Sequence, residues 1–506
     1  MEFLLLFSVF LPLLGAIALI MGRRDEHAFN RNLTLLIMGA TLVLSIGLYL
    51  FFNPATTGFQ FDINQPWIQI KELGIKINFH MGADGISLLM LLLTALISPI
   101  AYYATAHAIT DRFRLFSIMF LMVETGVMGM FVSQDLILFY VFWEAMLIPM
   151  YFLIGMWGTP QKGSFAAIKF FLYTMAGSVL MLIAMIATYM LSTPDATART
   201  FDLAGLLQNL KEHPIAVSTQ VWLFLGFAIA FAIKIPIFPF HNWLPEAYVE
   251  APLGATMMMA AVFSKAGAYG LLRFGLPLFP VALQEAAPWF LTLGVIGVIY
   301  GALIACVQQD MKRLIAFSSI SHLGIIVLGL FAAGASAGAQ QSIAGASLHM
   351  FNHGIIIAAL FLLVALLEKR FGTRALKDYL GLMRAIPKFS FVFMLIMLAS
   401  VALPGTNGFI GEFLILLGVF QAYPVAAILG TTTAILSAIY MLWMYQKTMF
   451  ESPVKLGAEV SQHELKRHEM VMFAPVILFI LWIGIYPNYF LERLTSAVNF
   501  VLGGGN

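Results

Sequence analysis

Glu144, Lys234 and Lys265 lie inside apolar stretches long enough to cross a bilayer, and so do His322, His353 and Glu412. An ionised side chain at the centre of a membrane costs at least about 2.5–3.5 kcal/mol even on lenient insertion scales, so such residues must face protein or water. Amines, imidazoles and carboxylates held there can take up and release protons, and an imidazole can pass one through either nitrogen near neutral pH. Handling protons within a membrane is the chemistry these residue types suggest.

Glu144 sits in Phe142-Trp143-Glu144-Ala145-Met146, and Lys234, beside a proline-interrupted stretch, is its obvious partner. At about 4 Å and an effective dielectric of about 20, their attraction is roughly 4 kcal/mol. Opening or closing such a pair would change how firmly Lys234 holds its proton. A static ion pair that only fixes helix packing is the plainer alternative. Glu124, one span earlier, reads either as a second carboxylate near the same lysine or as an interhelical hydrogen-bond partner. Lys265, in Ser264-Lys265-Ala266-Gly267, has no acidic residue in its own span and lies roughly ten residues from either end, a long reach for snorkelling.

His322 follows Ser318, Ser319 and Ser321, whose hydroxyls can hold water beside an imidazole, and His353 sits in Asn352-His353-Gly354. Either histidine can also be a simple helix-to-helix hydrogen-bond partner. His349 and His353, four apart, share a helix face, yet no further Cys, His or carboxylate is evident nearby in the sequence, so a metal site is not expected. Glu412 follows a second interruption, where it either ends a proton pathway or sits favourably at a helix N-terminus. Asp135 reads equally as the N-terminal residue of a helix, and His241 as an interfacial residue at the end of a span.

These residues need a scaffold, and composition describes it. Of 506 residues, 61% are hydrophobic and 10% charged, with a mean hydropathy of +0.92, which is the profile of an all-α polytopic membrane protein. The net charge is +2 and the basic residues are scattered, so nucleic acid is not an expected partner; the lipid bilayer is. The single cysteine, Cys306, excludes a disulfide within the chain and a cysteine-ligated iron–sulfur cluster, so no cofactor or metal is expected in it. The N-terminus runs apolar from Phe3 to Met21 with no basic segment before it and Arg23 and Arg24 after it, and reads as a retained first span.

Apolar stretches of roughly 20 residues give about fourteen spans, near 3–21, 33–52, 85–104, 114–132, 135–157, 168–191, 221–240, 255–274, 289–307, 313–333, 342–367, 389–420, 423–446 and 470–490. Placing the N-terminus outside puts 19 of the 27 Lys and Arg residues inside or at inner ends, leaves six outside, Arg273 among them, and keeps Lys234 and Lys265 within spans. That bias fits the positive-inside rule and predicts both termini on the outer face.

Two spans are interrupted alike. In the seventh, Pro236 and Pro239 remove the helical donors of the Ala232 and Ile235 carbonyls, and in the twelfth Pro404 does the same to Ser400, with Gly405 and Gly408 loosening the turn. Irregular backbone at membrane depth is tolerated where protein or water satisfies it. Matched interruptions five spans apart suggest a duplicated unit with a polar pathway through each half.

Trp143-Glu144 with Pro149-Met150-Tyr151, Lys169-Phe170-Phe171-Leu172-Tyr173-Thr174, Lys234-Ile235-Pro236 with His241-Asn242-Trp243-Leu244-Pro245-Glu246, Lys265-Ala266-Gly267-Ala268-Tyr269-Gly270, Asp310-Met311-Lys312-Arg313 and Pro404-Gly405 through Gly411-Glu412-Phe413 span nearly the whole chain. Together they resemble the antiporter-like M-type subunits of respiratory complex I, within a wider family that includes multisubunit antiporters. The resemblance implies fourteen helices with two inverted five-helix repeats and broken helices, divided as 1–112, a first repeat 113–275, a second repeat 276–450 and a C-terminal segment 451–506. It implies proton translocation by Glu144, Lys234, Lys265, His322, His353 and Glu412 in the membrane arm of an NADH:quinone oxidoreductase. It further implies FMN and iron–sulfur clusters in partner subunits, other antiporter-like membrane subunits as neighbours, and a bacterial inner membrane as the location. A glutamate in the twelfth span is similar to the M type, whereas the surroundings of His353 and Thr256-Met257-Met258-Met259 depart from the family pattern. The alternatives are a subunit of a sodium/proton antiporter, a membrane-bound hydrogenase subunit, or a non-pumping structural subunit.

Overall fold

The computed structural model describes residues 2–22, 26–70, 75–379, 381–450 and 463–503. Arg23, Arg24, Lys71 and Lys455, counted above for orientation, lie outside the described residues. The chain begins with α1 (Glu2–Met21) and α2 (His27–Phe51), then a hairpin of β1 (Gln60–Ile70) and β2 (Ile75–Ala83), then α3 (Gly85–Ala106), α4 (Phe113–Val132), α5 (Leu136–Trp157) and α6 (Lys162–Leu191). Short α7 (Leu203–Glu212) precedes α8 (Val217–Lys234), and short α9 (Leu244–Glu250) precedes α10 (Leu253–Leu278). There follow α11 (Pro280–Val307), α12 (Met311–Gly334), α13 (Ala339–Phe371), the two shorter helices α14 (Pro387–Ser400) and α15 (Asn407–Ala422), then α16 (Pro424–Phe450), α17 (Arg467–Ile485) and α18 (Asn488–Val501).

Among the described residues, 13 helices are long and apolar enough to cross a membrane, and the expected twelfth span is the pair α14 and α15. Burial sorts them. At least 94% of the apolar windows of α3, α10, α12 and α13 is buried inside the protein, against 39% in α1, α2 and α6. A helix apolar on every side has no preferred outward face, so this central position is open to it. The core helices α10, α12 and α13 carry Lys265, His322 and His353, so the deepest part of the molecule is also where these polar groups lie.

The first interruption falls where proline predicts it. The last residue of α8 is Lys234, and the helix is not resumed until Leu244. One expectation there is corrected: the Ala232 carbonyl is not left free, because it accepts from the Ile237 N–H at 2.8 Å. The Trp243 indole N–H also donates to the Ile233 carbonyl at 2.9 Å, so the break is closed by protein. The second interruption spans residues 401–406, with Ala402 and Gly405 both at positive φ (56° and 93°). Gly405 adopts this left-handed conformation at no steric cost.

Two features have no sequence signal. Helix α10 is π-wound at Met259–Phe263 and at Leu271–Gly275, on both sides of the turn carrying Lys265. Such widened turns free backbone carbonyls and are frequent at functional sites. The β hairpin is tied down by His80, whose Nε2 lies 2.9 Å from Asp62 Oδ1 and whose Nδ1 makes a short contact with Asp202 at the start of α7. Burial alone would lower the His80 pKa, but the two carboxylates outweigh it and push the value up to about 9. Asp135 is the N-cap of α5, accepting from the N–H groups of Ile137 and Leu138. Arg273, counted above on the outer side, is 1% exposed and paired at 2.6 Å with Asp84, the N-cap of α3.

Candidate functional site

Lys234 is buried, and its Nζ has no hydrogen-bond partner. Three rings surround it instead, with centroids 4.9 Å away in Trp143, 5.1 Å in Phe263 and 5.7 Å in Phe170. An ammonium over aromatic faces gains about 2 kcal/mol when desolvated. Consecutive residues on a helix point about 100° apart, so Trp143 facing Lys234 turns Glu144 aside; Glu144 is half-buried with Oε1 unpartnered. The expected Glu144–Lys234 contact is therefore absent from this conformation, in which the cage of rings holds the lysine. Glu124 is fully buried on α4, and neither of its oxygens is hydrogen-bonded.

Lys265 is a different kind of site. Its Nζ donates to the Ala260 carbonyl at 2.6 Å, which lies in the π-wound segment, and to Ser264 Oγ at 3.1 Å. It also lies 2.8 Å from His353 Nδ1, a contact in which either nitrogen can donate. His353 Nε2 reaches Ser319 Oγ at 3.4 Å, and its ring centroid is 5.7 Å from that of His322. His322 Nδ1 lies 2.8 Å from Glu412 Oε1, and its Nε2 lies 3.5 Å from the Tyr440 hydroxyl. Lys265, His353, His322 and Glu412 thus form one chain of titratable groups drawn from α10, α13, α12 and α15. The only step in it beyond hydrogen-bond reach is from His353 to His322, with Ser319 alongside.

Close backbone approach makes this possible. A Cβ on Gly267 would stand 2.6 Å from the Phe231 carbonyl and 3.0 Å from Lys234 Cβ, so only glycine lets α10 lie against α8 beside the lysine. Likewise a Cβ on Gly411 would meet His349 Cβ at 2.7 Å, which is how α15 brings Glu412 against α13.

Comparison with known proteins decides the family. The family model described as "NADH:quinone oxidoreductase/Mrp antiporter, TM" matches residues 133–437. Subunit M of NADH-quinone oxidoreductase from Rhodobacter capsulatus is 39% identical over 505 residues, covering 98% of this chain and 96% of that one. The chain belongs to this antiporter-like family. Chain 4 of NADH-ubiquinone oxidoreductase from Marchantia polymorpha is 37% identical over 498 residues, again across 98% of the chain. Among solved structures, a chain of respiratory complex I from Thermus thermophilus superposes with a TM-score of 0.86 at 32% identity, covering 99% of this chain and all of that one. A chain of the Mrp complex from Dietzia sp. shares the fold, with a TM-score of 0.82 at 19% identity.

In this antiporter-like subunit the structure brings together four of the six expected residues, Lys265, His353, His322 and Glu412. Glu144 and Lys234 stand apart from them, with Phe263 two residues before Lys265 on the same helix and packed over Lys234. Lys265 has no acid in its own span; its partner is an imidazole 88 residues away. His349 joins the site, with Nε2 3.7 Å from Glu412 Oε1, and so does Tyr440. The i, i+4 relation of His349 to His353 was a signal for this, but the facing carboxylate and third histidine come from other helices. His241 is 3% exposed, with neither ring nitrogen hydrogen-bonded, and lies against Phe238 and Tyr300.

Proposed function

We propose that the chain is the M-type proton-translocating subunit in the membrane arm of an NADH:quinone oxidoreductase, with protons carried by Glu144, Lys234, Lys265, His322, His353 and Glu412. The observation that carries the reading is the buried run from Lys265 through His353 and His322 to Glu412, in which each group is within hydrogen-bond reach or one ring spacing of the next. Structural ion pairs alone do not require a lysine–imidazole–imidazole–carboxylate series; passing a proton along does. Full-length similarity to named NADH-quinone oxidoreductase subunits supports the assembly assignment over a sodium/proton antiporter.

Moving one charge against 100 mV needs about 2.3 kcal/mol, and the energy comes from redox chemistry in partner subunits that hold FMN and iron–sulfur clusters. A lone cysteine in this chain cannot supply a cluster's ligands. In the first half, Lys234 exchanges its proton according to whether Glu144 swings towards it or the aromatic cage keeps it. Lys265, near the end of the first repeat, hands the proton to His353 in the second, and Glu412 draws it on through His322. The matched interruptions at Lys234 and at residues 401–406 support two inverted repeats, 113–275 and 276–450, within the divisions given above. Both termini lie on the outer face of a bacterial inner membrane, as the charge bias of the loops favours.

The test is Glu144→Gln in an assembled complex. Proton pumping in inside-out vesicles is expected to be abolished or sharply reduced, together with coupled NADH:quinone turnover, while NADH oxidation by an artificial acceptor persists. A normal number of protons per electron pair would contradict the assignment. Co-purification with flavin and iron–sulfur subunits is expected, and a complex lacking them would favour the antiporter alternative.

A further inference from the structure

His349 has no role in the relay as drawn, yet it is 2% exposed with neither ring nitrogen hydrogen-bonded, a costly state for a buried imidazole. It faces His322 and Glu412, each 4% exposed, and one ligating atom from each of the three can be chosen so that all lie within 4.8 Å of one another. The three come from α13, α12 and α15, so a group between them would be gripped by three separate helices. A cavity of about 10 Å³, room for about one water, opens among these same side chains with His353, Ser400 and Gly408 on its walls.

We propose that His322, His349 and Glu412 form a binding site for a borderline divalent cation of the zinc type. Two imidazoles and one carboxylate with an open fourth position are the donor set of three-ligand zinc sites. With zinc–ligand bonds of about 2.0–2.1 Å, neighbouring ligands of a tetrahedron stand about 3.3–3.4 Å apart. The observed separations from Glu412 Oε1, 2.8 Å to His322 Nδ1 and 3.7 Å to His349 Nε2, bracket that edge, and with the three atoms within 4.8 Å of one another the longest side has to close by up to about 1.4 Å. Mg²⁺ and Ca²⁺ want six or more oxygens and are poorly served here. The Glu412 carboxylate offsets the charge of the ion, while the Lys265 amine stands one residue further off, behind His353. His353 is held by Lys265 and Ser319, which leaves water for the fourth position.

Binding itself does not depend on the proposed function, but its consequence does. A zinc ion would occupy the same atoms, His322 Nδ1 and Glu412 Oε1, that carry the last proton step, and would plug the second half of the pathway.

The experiment uses the whole complex, stripped with a chelator, incubated with ZnCl2 and freed of excess metal. Bound zinc is counted, and X-ray absorption is compared before and after loading. Wild type is expected to take up one more zinc than assembled His349→Leu or Glu412→Gln complexes, and the added zinc to show two imidazoles and an oxygen ligand; excess MgCl2 is not expected to displace it. Equal zinc counts in wild type and both variants, or added zinc in wild type without two imidazoles, would overturn the site. Zinc bound there without loss of pumping supports the site and instead overturns the assignment of this relay.

Discussion

The surroundings of Lys234 and of Lys265 hold their charges in opposite ways. Around Lys234 the neighbours are rings: Trp143, Phe263 and Phe170 surround an ammonium that makes no hydrogen bond. Around Lys265 the neighbours are a carbonyl, a hydroxyl and an imidazole, and the polar run continues to Glu412. A caged lysine without a proton acceptor in contact can store a proton but has nowhere to send it. A lysine in hydrogen-bond contact with an imidazole has a neighbour to which it can pass one. The difference suggests a division of labour under the proposed function, with the Lys234 cage as a gate that opens when Glu144 moves and the run from Lys265 to Glu412 as a conductor with one step, His353 to His322, still to close.

The comparison can be broken at the cage. Trp143→Leu keeps an apolar side chain but removes the largest ring, at a loss of about 2 kcal/mol of cation–π attraction for a desolvated pair, or roughly thirtyfold in the balance between caged and released lysine. Coupled turnover in an assembled complex is expected to fall severalfold, with Trp143→Phe in between. Equal turnover in both variants would mean that the rings only fill space. Where α10 lies against α8, Gly267→Ala forces a methyl against the Phe231 carbonyl and Lys234. Overpacking of this kind costs about 1–3 kcal/mol, so the melting temperature of the complex should drop, and an unchanged one would show that α8 and α10 can part without penalty.

The smallest effect lies outside both sites, at the β hairpin. His80 has a folded-state pKa of about 9, above the ordinary value of 6.5. Its two ion pairs therefore stabilise fully below about pH 6.5, and that contribution is lost as pH rises through about 9. Amide exchange across residues 60–70 and 75–83 should quicken between pH 8 and pH 10, after correction for the intrinsic rate, more in wild type than in His80→Gln. Identical pH dependence in the two would remove the clamp.

What the sequence shows of this arrangement follows from what is local. Ionisable residues in apolar runs stand out one at a time, so Glu144, Lys234, Lys265, His322, His353 and Glu412 are all legible, and prolines mark both interruptions. Partnerships are not local. The Lys265–His353 contact joins α10 to α13, and Glu412 reaches His322 and His349 across two helix boundaries. The aromatic cage is hidden because Trp143, Phe170 and Phe263 look like any other lipid-facing or packing residues in a chain that is 14% aromatic. The π-wound turns of α10 leave no mark in hydropathy. The hairpin is obscured by Pro66 within β1 and by strand residues that do not alternate cleanly. Arg273 looked external because it lies near the end of its span, and only Asp84, 189 residues earlier, shows where its charge is matched.

Lys265→Met tests the whole arrangement most directly, because this lysine heads the conducting run and sits on the helix that borders the cage. In reconstituted vesicles containing the assembled complex, NADH-driven proton pumping is expected to fall at least about a hundredfold, the scale of losing one proton-transfer group. Unchanged pumping with a normal ratio of protons to electrons would contradict a relay through Lys265, His353, His322 and Glu412.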